Sequence, residues 1–374
     1  MKRLLLALLA LGPFAAHAET GVTDSEIVLG QSAAMTGAAA ELGKGMNRGA
    51  MAYFDWVNQH GGVNGRKIRL VAQDDGYEPD RAESNTRNLI DKEHVFALFG
   101  YVGTPTSNAA LPLATQAKVP FFAPYTGADS MRTPFNHYVF NLRASYRDEA
   151  LYVADHMTRM GMKTIDVFYQ NDAYGNAGLQ AMQAAAAAKG INILATATVE
   201  RNSTDVSRAI NELVAKNPAN AVFIVSAYKS SAAFIDAAHA QHYMGPFYNV
   251  SFVGTEALVR ELKSGGTGVL VSQVLPTPYN ATKSATIDYQ RVMKAAGSTQ
   301  FDYVSLEGYM AARLMVEGLK RSGSNPTREK LISALENLGD FDMGGFHVRF
   351  SDRSHNGSGF VDLSVIDAQG KIRN

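Results

Sequence analysis

Short runs rich in β-branched and aromatic residues recur along this chain, separated by longer segments with helical spacing. That alternation constrains the fold more than any other feature. The strand-like runs are Ile27–Leu29, Ile68–Gln73, Val95–Phe99, Val119–Ala123, Ile165–Tyr169, Ile191–Val199, Ala221–Ser226, Tyr248–Val253 and Val269–Val274. Between them Leu42, Met46, Tyr53 and Val57 repeat near every third or fourth residue, as do Ala82, Thr86, Leu89 and Ile90. The alanine-rich stretch Leu179–Lys189 stops at Gly190, the residue best suited to end a helix. Parallel strands need long crossovers, so this pattern predicts βαβ units with helices on both faces of a sheet. Two such series are present, about 26–140 and about 163–274. Each is long enough for a sheet of its own, and the expected class is α/β, with two doubly wound parallel-sheet lobes. The stretch Tyr138–Ser145 between them is extended. A second helical stretch follows at Thr282–Leu338, its last helix starting at Pro326-Thr327. Phe346–Phe350 and Phe360–Ile366 alternate apolar and polar residues and predict an antiparallel pair around a turn at Asn356-Gly357.

The start of the chain predicts export. Lys2 and Arg3 precede the apolar run Leu4–Leu11, Pro13 breaks it, and Ala16-His17-Ala18 offers small residues for cleavage after Ala18. The run is too short to cross a bilayer. The 374 residues carry 35 basic and 35 acidic side chains and no cysteine. Zero formal charge argues against a nucleic-acid partner, which needs a basic face to neutralise phosphates. The lack of cysteine removes disulfides, thiolate metal sites and a lipid anchor at a cysteine. A soluble periplasmic product is the expectation.

Few motifs carry chemistry. Gly43-Lys44-Gly45 with Gly49 imitates a dinucleotide loop, but the loop before it is too long and the glycines fall inside a helical repeat, so helix packing or an anion site at a helix N-terminus is the better reading. Tyr279 and Lys283 have a reductase spacing, yet Pro276 and Pro278 place the tyrosine in a loop. His239 and His242 have no carboxylate on their face, and Asp74-Asp75 reads as a turn or cap. No nucleophile elbow, zinc helix or phosphate loop is present. The expectation is therefore no catalytic residue, no metal and no cofactor.

Small and polar residues instead gather just after strand ends, where open α/β sheets bind ligands. Met35-Thr36-Gly37, Gly100–Ser107 and Pro124–Gly127 do so in the first series; Asn171–Gly175, Ala227-Tyr228 and Gly254–Glu256 do so in the second. Thr104 before Pro105 has the order of an N-cap and first helical residue, which would aim backbone N–H groups and a positive dipole end at the crevice. Glu256 supplies opposite charge from the other lobe, and Tyr174 and Tyr228 supply amphipathic walls.

These residues resemble those of the periplasmic branched-chain amino-acid-binding proteins of ABC transporters, the leucine/isoleucine/valine type of the type I binding-protein fold. The resemblance covers essentially the whole mature chain. It rests on Ile27–Gly30 with Met35-Thr36-Gly37, Val57–Gly65 with its Gly-Gly-Val-Asn-Gly turn, Gln73-Asp74-Asp75, Asn171–Gly175 and Gly254-Thr255-Glu256. It implies two lobes, 26–143 plus 277–347 and 144–276 plus 348–374, joined by three crossovers near Asn141–Ser145, Leu275–Thr277 and Val348–Phe350. It also implies a ligand carboxylate held by Thr104 and Gly103, further contacts at Thr126 and Gly127, walls at Tyr174, Tyr228 and Tyr279, and an ammonium partner at Glu256. Leu42 stands where the family often has an aromatic residue. A Gly-Thr-Pro run replaces a serine-rich loop, and the cysteine pair of several relatives is missing. The implied function is capture of a small amino acid, branched-chain or otherwise aliphatic or aromatic, by hinge closure of a monomer. Delivery to an inner-membrane permease and its ATPase would follow. The same fold also takes aromatic carboxylates, amides or urea-like solutes, or presents ligand to a sensor.

Overall fold

A computed structural model describes residues 19–373 except Asn217 and Ala281; the expected export signal at 1–18 lies outside the described residues. Among the described residues there are two large sheets and a small two-stranded one. The first holds β1 (Glu26–Ala33), β2 (Lys67–Asp74), β3 (Ala97–Phe99), β4 (Phe121–Phe122) and β5 (Val139–Phe140), all parallel, in the order β2-β1-β3-β4-β5. The helices between them are α1 (Ala40–Gln59), α2 (Pro79–Asp91) and α3 (Thr104–Gln116). After β5 the chain crosses into the second lobe with α4 (Tyr146–Arg159), whose start is fixed by a capping box between Ser145 and Asp148.

The second lobe repeats the plan. Strands β6 (Thr164–Gln170), β7 (Asn192–Val199), β8 (Ala221–Val225), β9 (Phe247–Asn249) and β10 (Val269–Gln273) lie parallel in the order β7-β6-β8-β9-β10. Their connections carry α5 (Ala173–Lys189), α6 (Ser207–Ile210), α7 (Tyr228–Ala240) and α8 (Thr255–Glu261). Gly190 ends α5 in the left-handed region, as its place after the alanine run predicts. The order reverses between β1 and β3 in one lobe and between β6 and β8 in the other. Each lobe therefore has a crevice at its strand C-termini.

The chain then returns to the first lobe with α9 (Ser284–Ala295), α10 (Tyr303–Arg321) and α11 (Arg328–Glu336). The Arg328 guanidinium ties α11 to the first sheet through the carbonyls of Val95 and Phe96. Thr327, following Pro326, caps α11 by accepting from the Lys330 amide. The glycines of α1 are packing residues, as their helical spacing predicts. A Cβ on Gly49 would stand 1.8 Å from the Ser305 carbonyl oxygen, and one on Gly308 would stand 2.1 Å from that of Met46. Bare backbone on both helices is what lets α1 and α10 approach. Gly49→Val is expected to cost ~1–3 kcal/mol in urea denaturation by overpacking. Gly359→Ala, in open space, is expected to leave the midpoint unchanged.

The expected pairing of Phe346–Phe350 with Phe360–Ile366 does not form. Strand β12 (His347–Val348) instead pairs with β11 (Phe341–Asp342). The turn between them is made by Gly344 and Gly345, both at positive φ, whose amides donate to the Asp342 carboxylate. Strand β13 (Asp362–Ile366) joins the second sheet antiparallel to β10, followed by β14 (Ile372–Arg373). Asn356-Gly357 is not a hairpin turn: the Gly357 amide donates to the Asn141 carbonyl, and the Asn141 amide donates to the His355 carbonyl. The first crossing and the returning chain are thus hydrogen-bonded to each other.

Among the described residues no helix is long and apolar enough to cross a membrane, and no group of three or more metal-ligating side chains forms.

Candidate functional site

Residues after the strand ends of both lobes meet in the cleft. In the first lobe Gly103, not Thr104, takes the N-cap position of α3, at φ +105°. The Tyr77 ring lies where a Cβ on Gly103 would be, so no side chain fits there. Thr104 becomes the first helical residue, and its hydroxyl does not cap the helix. It shares a 2.6 Å hydrogen bond with the Thr126 hydroxyl, and Thr126 donates onward to the Tyr146 hydroxyl at 3.4 Å. Gly127 lies against Tyr146, accepting its amide at 2.8 Å, and leaves no space there for a Cβ. Ser107, in the first turn of α3, has a buried Oγ with no partner among the described residues.

The second lobe closes on this row with aromatic rings. The Phe252 ring lies 4.5 Å from that of Tyr174, 5.4 Å from that of Tyr125 and 6.0 Å from that of Tyr77. Tyr146 and Tyr174 are 5.5 Å apart. The lobes are in direct contact here: Tyr125 donates to the Ser251 carbonyl at 3.3 Å, and Gln170 Nε2 donates to the Tyr77 hydroxyl at 3.3 Å. Burial pushes the phenol of Tyr146 up to about 12 and raises those of Tyr77, Tyr125 and Tyr174 well above the ordinary phenol value. All four are therefore neutral and able to donate. The Tyr174 hydroxyl is buried and has no partner among the described residues.

The other predicted residues sit further along the cleft. Tyr228 is buried at the start of α7, and its hydroxyl accepts the Glu41 amide of α1 across the lobes at 3.4 Å. Leu42 is buried and packs over Gly254. Glu256, in the first turn of α8, is engaged at one oxygen. Its Oε1 accepts from the Tyr279 hydroxyl and, at 3.1 Å, from the Tyr303 amide that opens α10. Its Oε2 is buried without a partner among the described residues. Burial, with Asp302 alongside, pushes this carboxyl up to about 8. Glu256 belongs to the cleft, but its bonds go to Tyr279 and Tyr303 and not to the Thr104–Thr126–Tyr146 row. Tyr125, raised chiefly by burial, also feels the Glu256 charge as a smaller contribution.

Sequence reasoning did not single out Tyr77, Tyr146, Phe252, Ser107 or the charged joint below them. Arg143, on the first crossing, has its guanidinium 4.3 Å from the Tyr125 ring centre. It bonds Ser251 Oγ and lies 3.4 Å from Glu307 of α10. Glu149 of α4 accepts the Ser251 amide and hydroxyl and the Ser272 hydroxyl. Burial works against the Arg143 charge, but Glu307, Tyr125, Glu149 and Tyr146 together more than offset it and keep the guanidinium protonated. Burial also raises the Glu307 carboxyl to about 7 and lifts that of Glu149, both against the pull of Arg143. Asp74 and Asp75 are backbone caps, as their place at a strand end predicts. Asp74 accepts the amides of Met35, Thr36 and Gly76, and Asp75 accepts the Ser32 hydroxyl and the Tyr77 amide.

At the rim the lobes are pinned by ion pairs and amides. Arg201 reaches Glu78 at 2.8 Å, Asn202 reaches the same carboxylate, and Arg260 reaches Glu41. Such exposed pairs contribute little individually.

The periplasmic binding protein family matches residues 26–371. Leu/Ile/Val-binding protein homolog 7 of Brucella abortus is 25% identical over 330 residues, covering 84% of this chain and 82% of that protein. The crystal structure of a "possible leucine/isoleucine/valine-binding protein" from Rhodopirellula baltica superposes with a TM-score of 0.88 at 32% identity, covering 94% of this chain and 96% of that one. A solute-binding protein of an ABC transporter from R. palustris, in complex with benzoate, shares the fold with a TM-score of 0.82 at 22% identity, covering 94% and 95%.

Proposed function

Because the chain belongs to the periplasmic binding protein family, we propose that it is the solute-capturing component of an ABC importer, taking a small α-amino acid between its lobes. One observation carries this reading. Buried polar atoms without partners stand on both sides of the cleft: Ser107 Oγ on one lobe, the Tyr174 hydroxyl and Glu256 Oε2 on the other. Such atoms are costly unless something satisfies them. The Ser107, Thr104 and Thr126 hydroxyls, with the first N–H groups of α3, suit a carboxylate. A lone carboxylate oxygen suits an ammonium group. The Leu/Ile/Val-binding names of the relatives point the same way.

In this reading the protein is exported, cleaved after Ala18 and monomeric in the periplasm. Its lobes are 26–143 plus 277–347 and 144–276 plus 348–374. The solute docks on Thr104 and Thr126, and the second lobe closes because only the closed form contacts it from both sides. The closed face is then read by an inner-membrane permease with its ATPase. Calorimetry with L-leucine tests the carboxylate seat: Thr104→Val is expected to weaken binding about tenfold, the worth of one hydrogen bond to a charged group. Unchanged affinity would show that the seat lies elsewhere.

A second reading rests on the engagement of Glu256. Its Oε1 already holds Tyr279 and Tyr303, and the walls beside Thr126 are rings. An aromatic carboxylate without an ammonium group suits that arrangement, and the R. palustris protein of the same fold is in complex with benzoate. A thermal-shift comparison of L-leucine, L-phenylalanine and benzoate separates the two readings.

A further inference from the structure

We infer that the cleft continues into a side cavity between α3 and α5 that seats a neutral hydrogen-bonding group at the far end of the solute. The inference rests on the amino-acid reading above and specifies the side chain.

The cavity has a volume of about 210 Å³. The first lobe lines it with Asn108 of α3 and Ser130, the second with Asn176 and Gln180 of α5. Its inner wall includes Tyr146, the same ring that accepts from Thr126 and packs on Tyr174. Tyr146 is thus shared between the cavity and the Thr104–Thr126 row, and this ring is the link between the two. The room comes from the alanine content of α5: Ala177 lines the cavity where a larger side chain would fill it.

The lining also says what the far group is. Ser130 donates to Asn108 Oδ1 at 2.8 Å, which leaves the Asn108 amide hydrogens as donors. The carboxamides of Asn176 and Gln180 make no hydrogen bond to the other described residues, and each can donate and accept. The charged neighbours are Arg147 and Asp129, and they are paired with each other at 2.7 Å. Ser130, Asn176 and Gln180 are exposed to water, so the empty cavity offers donors and acceptors without net charge, and a group that enters must replace the water it displaces. A carboxamide replaces those hydrogen bonds; a branched aliphatic side chain does not. The solute class is an α-amino acid with an amide-bearing side chain.

Calorimetry on the full mature chain, with L-glutamine and L-valine as probes, tests this. The wild type is expected to bind glutamine at least about tenfold tighter than valine. Ala177→Leu, which fills the cavity, and the Asn176→Ala, Gln180→Ala double variant are each expected to weaken glutamine about tenfold and leave valine within about twofold. Circular dichroism establishes that both variants are folded; their positions are partly or fully exposed. A wild type that prefers valine, or variants that weaken both probes alike, overturns the inference while the amino-acid reading stands. A wild type that binds neither probe overturns both, and is recognised before any variant is made.

Discussion

Arg143→Met is expected to cost ~3–5 kcal/mol of folding stability at pH 8 and far less at pH 5. The guanidinium is 1% exposed and faces Glu307 from one lobe and the Ser251–Glu149 pair from the other. Removing it takes away the cation that does most to hold both buried carboxyls down, leaving Glu307 only the weaker pull of Arg132, so both rise further than burial already lifts them. The sign follows from proton counting. A carboxyl raised on folding holds a proton that the unfolded chain releases, so stability is present below the unfolded value and is lost as pH rises through the folded one. At pH 5 protonation relieves more of the cost of burying the unpaired acids in the variant, since both are raised by burial. At pH 8 they must ionise unpaired or stay protonated at a cost. Urea denaturation at the two values reads the difference directly, and an equal loss at both would mean that Arg143 acts through packing on Tyr125 alone.

The second large effect concerns the ligand. If the solute is an α-amino acid, its affinity is expected to rise by up to about tenfold per pH unit toward pH 8 and then level off. Glu256 is raised to about 8 by burial with Asp302 nearby, so near neutral pH it is mostly protonated before ligand arrives. An ammonium needs the anion, and binding must expel that proton. Each unit below the raised value makes expulsion harder, hence weaker binding at lower pH. Glu256→Gln is expected to flatten the profile and to lose on the order of tenfold to a hundredfold at pH 8. A carboxylate ligand without an ammonium makes no such demand and would bind with a flat profile in both proteins. Calorimetry across the range, repeated in buffers of different ionisation enthalpy, counts the proton. An amino acid that binds with no proton release contradicts the role given to Glu256.

The lobes were legible because buried parallel strands read as continuous apolar runs, and each run here is followed by a helix with its own period. The cleft was legible at the level of strand ends, since the order reversals at β1/β3 and β6/β8 place those loops together. What failed was competition between signals. Asn356-Gly357 is a strong local hairpin signal, yet Asp342 with Gly344 and Gly345 makes the turn. The partner of β13 is β10, far away in the chain. Thr104-Pro105 read as a cap because Gly103 has no side chain to advertise its role. Tyr77, Tyr146 and Phe252 carry no signal that separates a cleft wall from an ordinary core aromatic. Arg143 looks like any surface arginine until Glu149 and Glu307 are seen beside it.

Because the chain visits one lobe, then the other, then the first again before ending in β13 and β14, its two described ends ride on different bodies. Glu19 accepts from the Arg328 amide of α11 in the first lobe, while β14 edges the second sheet. If the lobes close on a solute as proposed, a fluorescent donor and acceptor attached at those ends would turn each capture event into an optical signal, without a label in the cleft itself.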